Sequence, residues 1–97
     1  MPKVFVVNKS SHDFSNAKEF GELIYMTSGR MNRFATTDMI RIFSEFMKES
    51  SKSDYILPCS LNVMNLLAGA VFAAKHKTIN LLLFKQGRYI ERNHVIR

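Results

Sequence analysis

Residues 61–74 read LNVMNLLAGAVFAA, and eleven of the fourteen are Leu, Val, Met, Ala or Phe. The spacing predicts a helix from Ser60 to Lys75 that is apolar on nearly every side. Such a helix must be covered nearly all round. In a chain of 97 residues a sheet hides one face, so part of the remainder is expected to meet a second subunit. Gly69, between Ala68 and Ala70, suits a close backbone approach. Lys75, His76 and Lys77 follow, where positive charge complements the negative end of the helix dipole. The stretch Val63–Ala74 is interrupted by Asn65 and too short to cross a bilayer, so no membrane association is expected.

Strand patterns surround this helix. KVFVVN (3–8) is apolar on successive residues, as in a strand covered on both faces. The polar loop 9–16 leads to a short turn, NAKEF, with Ser15 as its cap and Gly21 at its end. ELIYMT (22–27) reads as a second strand and SGR (28–30) as a turn. Met39, Ile40, Phe43, Phe46 and Met47 recur at helical spacing within 34–50, with Thr36 or Thr37 as cap. YILP (55–58) is a third strand and TINLLLFK (78–85) a fourth. QG is a tight turn, and RYIERNHVI (88–96) is a fifth strand at an edge with one wet face. The expected fold is therefore a single α/β domain over 1–97: a small, mainly parallel sheet of about five strands, two main helices and a C-terminal antiparallel hairpin.

Charge is concentrated late in the chain. From Lys75 onward there are six Lys/Arg (Lys75, Lys77, Lys85, Arg88, Arg92, Arg97) against Glu91, a net of +5, whereas residues 1–74 carry only +1. This favours an anionic partner, or serves an edge hairpin by deterring edge-to-edge pairing. One cysteine, Cys59, excludes an intrachain disulfide framework. With no Cys/His pairs at zinc spacing, no metal or cofactor is expected and the cytoplasm is the expected setting. The apolar run in MPKVFVVNKSS is too short for a signal peptide.

In open α/β sheets ligands gather beyond the carboxyl ends of the strands, where helix N-termini also point. Three polar segments follow strands here: Asn8-Lys9-Ser10-Ser11-His12, Thr27-Ser28-Gly29-Arg30, and Cys59-Ser60-Leu61-Asn62. If the first three strands are parallel, these segments converge on one rim. Ser60, as cap of the second helix, would attract a phosphate or carboxylate, and Arg30 and Arg33 would add charge-assisted bonds. Asn62 and Asn65 stand three apart on an otherwise apolar helix and need partners, from a loop, a ligand or a second subunit. His12 beside Asp13 is a pair of acid–base type, but no nucleophile is marked for it, and Cys59 reads as a packing residue. His76 and His94 read as surface residues. No Gly-rich phosphate-binding fingerprint is present.

VFVVNKSSHDFSNAKEFGEL (4–23) and DYILPCSLNVMNLL (54–67) resemble small uncharacterised α/β proteins encoded by bacteriophages and prophages. A looser likeness is to the viral ring-nuclease type of anti-CRISPR protein. It rests on a strand ending in Asn8, a Ser-containing turn and an apolar helix, and it implies a nucleotide ligand. Ring nucleases of that type use a His at the turn, where this chain has Cys59 and Ser60. The leading expectation is therefore non-enzymatic binding of a small phosphorylated ligand by Asn8, Ser10, Ser11, His12, Arg30, Arg33, Ser60 and Asn62. In a phage protein this would sequester a nucleotide signal of host defence in the host cytoplasm, with homo-oligomerisation through helix 60–75. The alternatives are a nucleic-acid-binding hairpin using Lys85, Arg88 and Arg92, and an inhibitor that docks on a host protein.

Overall fold

The computed structural model describes residues 1–96. Arg97, counted above in the basic last quarter, lies outside the described residues. Val4, Phe5, Val6 and Val7 are 0–1% exposed, because both faces of their strand are covered. That strand, β1 (Lys3–Val6), is flanked by β2 (Glu22–Tyr25) and β3 (Tyr55–Leu57); β4 (Thr78–Lys85) and β5 (Arg88–Val95) follow. The sheet order is β2-β1-β3-β4-β5. All neighbours pair in parallel except β4 and β5, which are antiparallel over their full length. Gln86 and Gly87 join them with φ of 50° and 85°. Positive φ at both central residues is what a type I′ hairpin turn needs.

Helices α1 (Thr36–Phe46) and α2 (Asn62–His76) lie on one face of this sheet. Phe5, Val7 and Ile56 pack there with Met39, Phe43 and Met47 of the α1 segment and with Met64, Ala68 and Phe72 of α2. Each of the larger side chains among these contributes about 1.5–3 kcal/mol by leaving water. The buried row on α1 is narrower than the sequence stripe: Ile40 and Phe46 are each 44% exposed. The fully buried row runs four apart through Met39, Phe43 and Met47, with Ile42 partly buried beside it, while Ile40 and Phe46 face outward. On the other face Val4, Val6, Leu57 and Leu82 are covered by Phe14, Ala17 and Tyr89, around a short 3-10 helix, Ser15–Glu19. Cover on this side is thin, and the candidate site lies there.

Several helix ends differ from expectation. The N-caps of α1 and α2 are Ala35 and Leu61, and neither has a side-chain cap bond. Thr36 and Thr37 therefore sit inside α1, and Ser60 precedes the cap of α2 rather than forming it. Ser15 does not cap the 3-10 helix; its N–H is held instead by Asp13 Oδ1 at 2.9 Å. Gly69 faces Ile79 of β4, whose Cδ1 would lie 3.3 Å from an added Cβ. Its small size lets α2 settle on the sheet, so the close neighbour is a strand side chain.

The C-terminal ends of the two helices are tied together. Lys75 Nζ donates to the carbonyls of Met47 (3.1 Å) and Lys48, and so serves the end of α1 rather than its own helix. Ser50 Oγ donates to Met47 O at 2.6 Å and lies 2.8 Å from His76 Nε2. His76 is thus partly exposed but packed on one side, with its ring 4.6 Å from that of Phe72. Burial, then the charge of Lys75, lowers its pKa. A depressed histidine contributes stability that is complete above its unfolded value, about 6.5, and is lost as pH falls below it. Wild type is expected to lose more stability than His76→Gln between pH 7 and pH 5 in urea titrations. Parallel profiles would refute this account.

Candidate functional site

Because β1, β2 and β3 are parallel, their carboxyl ends open on one rim. Past β1 the chain stays fastened to the loop after β2. Lys9 N–H donates to Thr27 O at 2.7 Å, and Thr27 Oγ1 donates to Val7 O at 2.8 Å. Asn8 stands between the three strand ends and is only 3% exposed. Its Nδ2 donates to Gly29 O at 2.9 Å and to Ser60 Oγ at 3.0 Å, which joins the loop after β2 to the turn after β3. Its Oδ1 is buried and has no hydrogen-bond partner among the described residues. A buried acceptor left so is costly, and in native proteins it is usually met by water or a ligand.

The turn after β3 is held in an unusual shape. Ser60 has φ of 69°, a left-handed conformation that costs a non-glycine residue about 1–2 kcal/mol. Cys59 is pinned from two sides. Its N–H donates to Asn65 Oδ1 at 3.0 Å, while its thiol donates to Asn8 O and accepts from Asn8 N–H at 3.3 and 3.4 Å. Asn65 therefore has a structural role, and Asn62 is exposed on the first turn of α2. Burial pushes the Cys59 thiol up, against two weaker opposing effects from the Asn8 and Val7 backbone. It is consequently a poor thiolate.

Beside this turn, on the face that the helices leave open, lies a cleft of about 400 Å³. The loop after β1 lines it with His12, Asp13 and Phe14, the end of β3 with Leu57, Pro58 and Cys59, and the hairpin with Phe84 and Tyr89. The volume falls in the range of small-molecule pockets. Asn16 Nδ2 donates to Gly87 O at 2.8 Å and ties the 3-10 helix to the hairpin turn beside the cleft. Asp13 lies below the usual carboxylate range, chiefly because the backbone N–H of Ser15 bonds its ionised form. Tyr89 is pushed up by burial first, then by Cys59 and Asp13, so its hydroxyl remains protonated. Lys9 is nearby: its ammonium lies 5.4 Å from the centre of the Tyr25 ring, which is 6.2 Å from the ring of Phe14.

The residues expected to bind are thus partly gathered. Asn8 and Ser60 touch, and His12 lines the cleft. Ser10 Oγ accepts from His12 N–H at 3.3 Å and shapes the loop, and Ser11 is exposed on it. Arg30 and Arg33 are exposed on the loop before α1, where Arg33 lies over the Phe34 ring at 5.1 Å. Neither arginine makes a hydrogen bond or ion pair among the described residues. Lys85, Arg88 and Arg92 are exposed on the hairpin, with Lys85 directly opposite Arg88. Sequence reasoning missed Asp13, Phe14, Cys59, Phe84 and Tyr89 as cleft residues. Two signals were available: Phe84 closes a strand whose carboxyl end shares the rim, and Phe14 is an isolated aromatic in a polar loop.

No group of three or more His, Cys, Asp or Glu that could hold a metal ion occurs among the described residues. No helix among them is long and apolar enough to cross a membrane. The model of the family described as Phage Pam3 gp32-like protein matches residues 2–95, nearly the whole chain. Comparison with curated proteins and with solved structures gave no match, and nothing found supports the likeness to viral ring nucleases.

Proposed function

We propose that this chain, which belongs to the phage Pam3 gp32-like family, binds a small phosphorylated ligand at the carboxyl rim of its sheet without turning it over. The observation that carries this reading is the 400 Å³ cleft at the strand ends. It lies where the chain leaves β1 toward β2 on one side while β3 pairs on the other, the place where open α/β sheets hold ligands. Asn8 supports it by fixing the loop after β2 and the turn after β3 at that rim. The phosphate falls to the uncapped start of α2 and to Lys9 at the rim. Burial of the Cys59 thiol favours binding over nucleophilic attack. A phage protein of this kind would sequester a nucleotide signal of host defence. Leu66, 72% exposed in line with Asn62, Ala70 and Ala74, supports homo-oligomerisation through α2.

The second reading is polymer binding by the hairpin. Lys85, Arg88 and Arg92 share the face opposite Tyr89 and make no ion pair among the described residues. One experiment separates the two. Thermal unfolding is followed with linear and cyclic nucleotides, NAD derivatives and short DNA or RNA. A ligand of the native state adds about 2.7 kcal/mol of stability at a hundredfold excess over Kd and so raises the melting temperature. A shift with one small nucleotide, kept when Arg88 and Arg92 are replaced, is the expected result. Shifts with polymers alone, vanishing in salt, would move the function to the hairpin.

A further inference from the structure

We infer that the cleft takes the ring of a nucleobase bearing an exocyclic amino group, stacked on Phe84 with the amino group on Asp13. The inference rests on the reading of the rim as a nucleotide site and names what part of the ligand enters it. The walls are aromatic. Phe14 and Tyr89 are 5% and 7% exposed, His12 is edge-on to Phe14 at 6.3 Å, and Phe84 meets Tyr89 at 5.2 Å. Phe84 is nevertheless 63% exposed, so one large ring is presented to solvent beside a cleft. A base stacks on such a surface whatever its identity.

Selection among bases comes from the polar groups. Asp13 is the carboxylate of the cleft, and Ser15 N–H occupies its Oδ1 at 2.9 Å. Asp13 is exposed, so its Oδ2 is open to a further donor, and the carboxylate is an acceptor only. A phosphate is repelled there, which places the ring inside and the phosphate outside at the rim. An amino group donates to Oδ2, whereas a ring carbonyl at that position faces negative charge. Adenine and cytosine donate through the amino group; hypoxanthine and uracil carry a carbonyl there and can donate only through the neighbouring ring N–H, which must shift in the cleft to reach Asp13.

The test is calorimetric titration of the intact chain with adenosine, cytidine, inosine, uridine, their 5′-monophosphates and inorganic phosphate, repeated for Phe84→Ala and Asp13→Asn. Both substituted residues are exposed, and Asn keeps an oxygen for Ser15 N–H, so both variants are expected to fold. Adenosine or cytidine should bind about tenfold tighter than its carbonyl counterpart. Asp13→Asn should remove that preference, and Phe84→Ala should weaken all nucleosides about tenfold. Equal binding of amino and carbonyl bases, or binding indifferent to Phe84→Ala, overturns the inference. So does binding of nucleotides and phosphate with none of nucleosides, which leaves the phosphorylated-ligand reading standing. Nucleosides bound with amino preference, but no tighter when phosphorylated, would uphold the inference and remove that reading. Absence of all binding removes both.

Discussion

Replacing Asn8 with aspartate is expected to lower the unfolding free energy by about 3–5 kcal/mol, with the largest effect at neutral pH. The Asn8 amide nitrogen is the shared donor to Gly29 O and Ser60 Oγ in a position 3% exposed. Aspartate puts a carboxylate oxygen against that carbonyl and leaves a charge buried without a counter-ion. Asn8→Ala, which removes two hydrogen bonds and adds no charge, should cost less, about 1–3 kcal/mol. Urea unfolding distinguishes them through the midpoint at unchanged slope.

The pH dependence separates the charge from the lost bonds. A buried aspartate has its folded pKa raised above its unfolded value of about 3.9. The unfolded state is then the more readily ionised one, so the variant's deficit is complete above the folded pKa and shrinks as pH falls through it. The Asn8→Ala deficit should not move with pH. A pH-independent Asn8→Asp deficit would show that the carboxylate escapes to solvent, and that Asn8 does not clamp the two loops. The consequence for function is direct, because the clamp sets where Ser60 and the start of α2 stand relative to the cleft.

The strands were legible because their patterns are local. β4 occupies the same residues that its apolar run and the QG turn predict, and successive apolar residues in β1 announced two covered faces. The rim was legible in part for the same reason: polar residues directly after parallel strands must meet. What could not be read was the side of the sheet each helix takes. Both fall on one face, which leaves Tyr89 and Phe84 walling a cleft where the other face is thinly covered. The alternation along β5 correctly placed Tyr89 opposite Arg88 and Arg92. It carried no information about what lay over Tyr89, since cover is a property of distant residues such as Phe14 and Ala17. Ser60 misled through propensity: serine at a helix start usually caps it, but here the hydroxyl is taken by Asn8.

Gly21 was expected only to end a helical turn, yet its substitution should have the second largest effect. Gly21→Ala is expected to cost about 2–4 kcal/mol, from overpacking and a weakened hydrogen bond. An added Cβ would lie 2.2 Å from the carbonyl oxygen of Pro2, which accepts the N–H of Glu22 at 3.0 Å where β2 begins to pair with β1. The contact is with backbone, so no side chain can rotate away. The chain must instead move at Pro2 or at Glu22, and moving Pro2 disturbs Lys3, whose N–H is held by the buried Asp54 at 2.9 Å. Gly21 is not among the positive-φ residues, so the cost belongs to the close approach and not to backbone conformation. That distinction is testable by a double-mutant cycle. In a chain lacking Met1 and Pro2 the opposing carbonyl is gone, and Gly21→Ala should cost less than about 1 kcal/mol. An equal cost in both backgrounds would mean that alanine is rejected by something other than the start of β1.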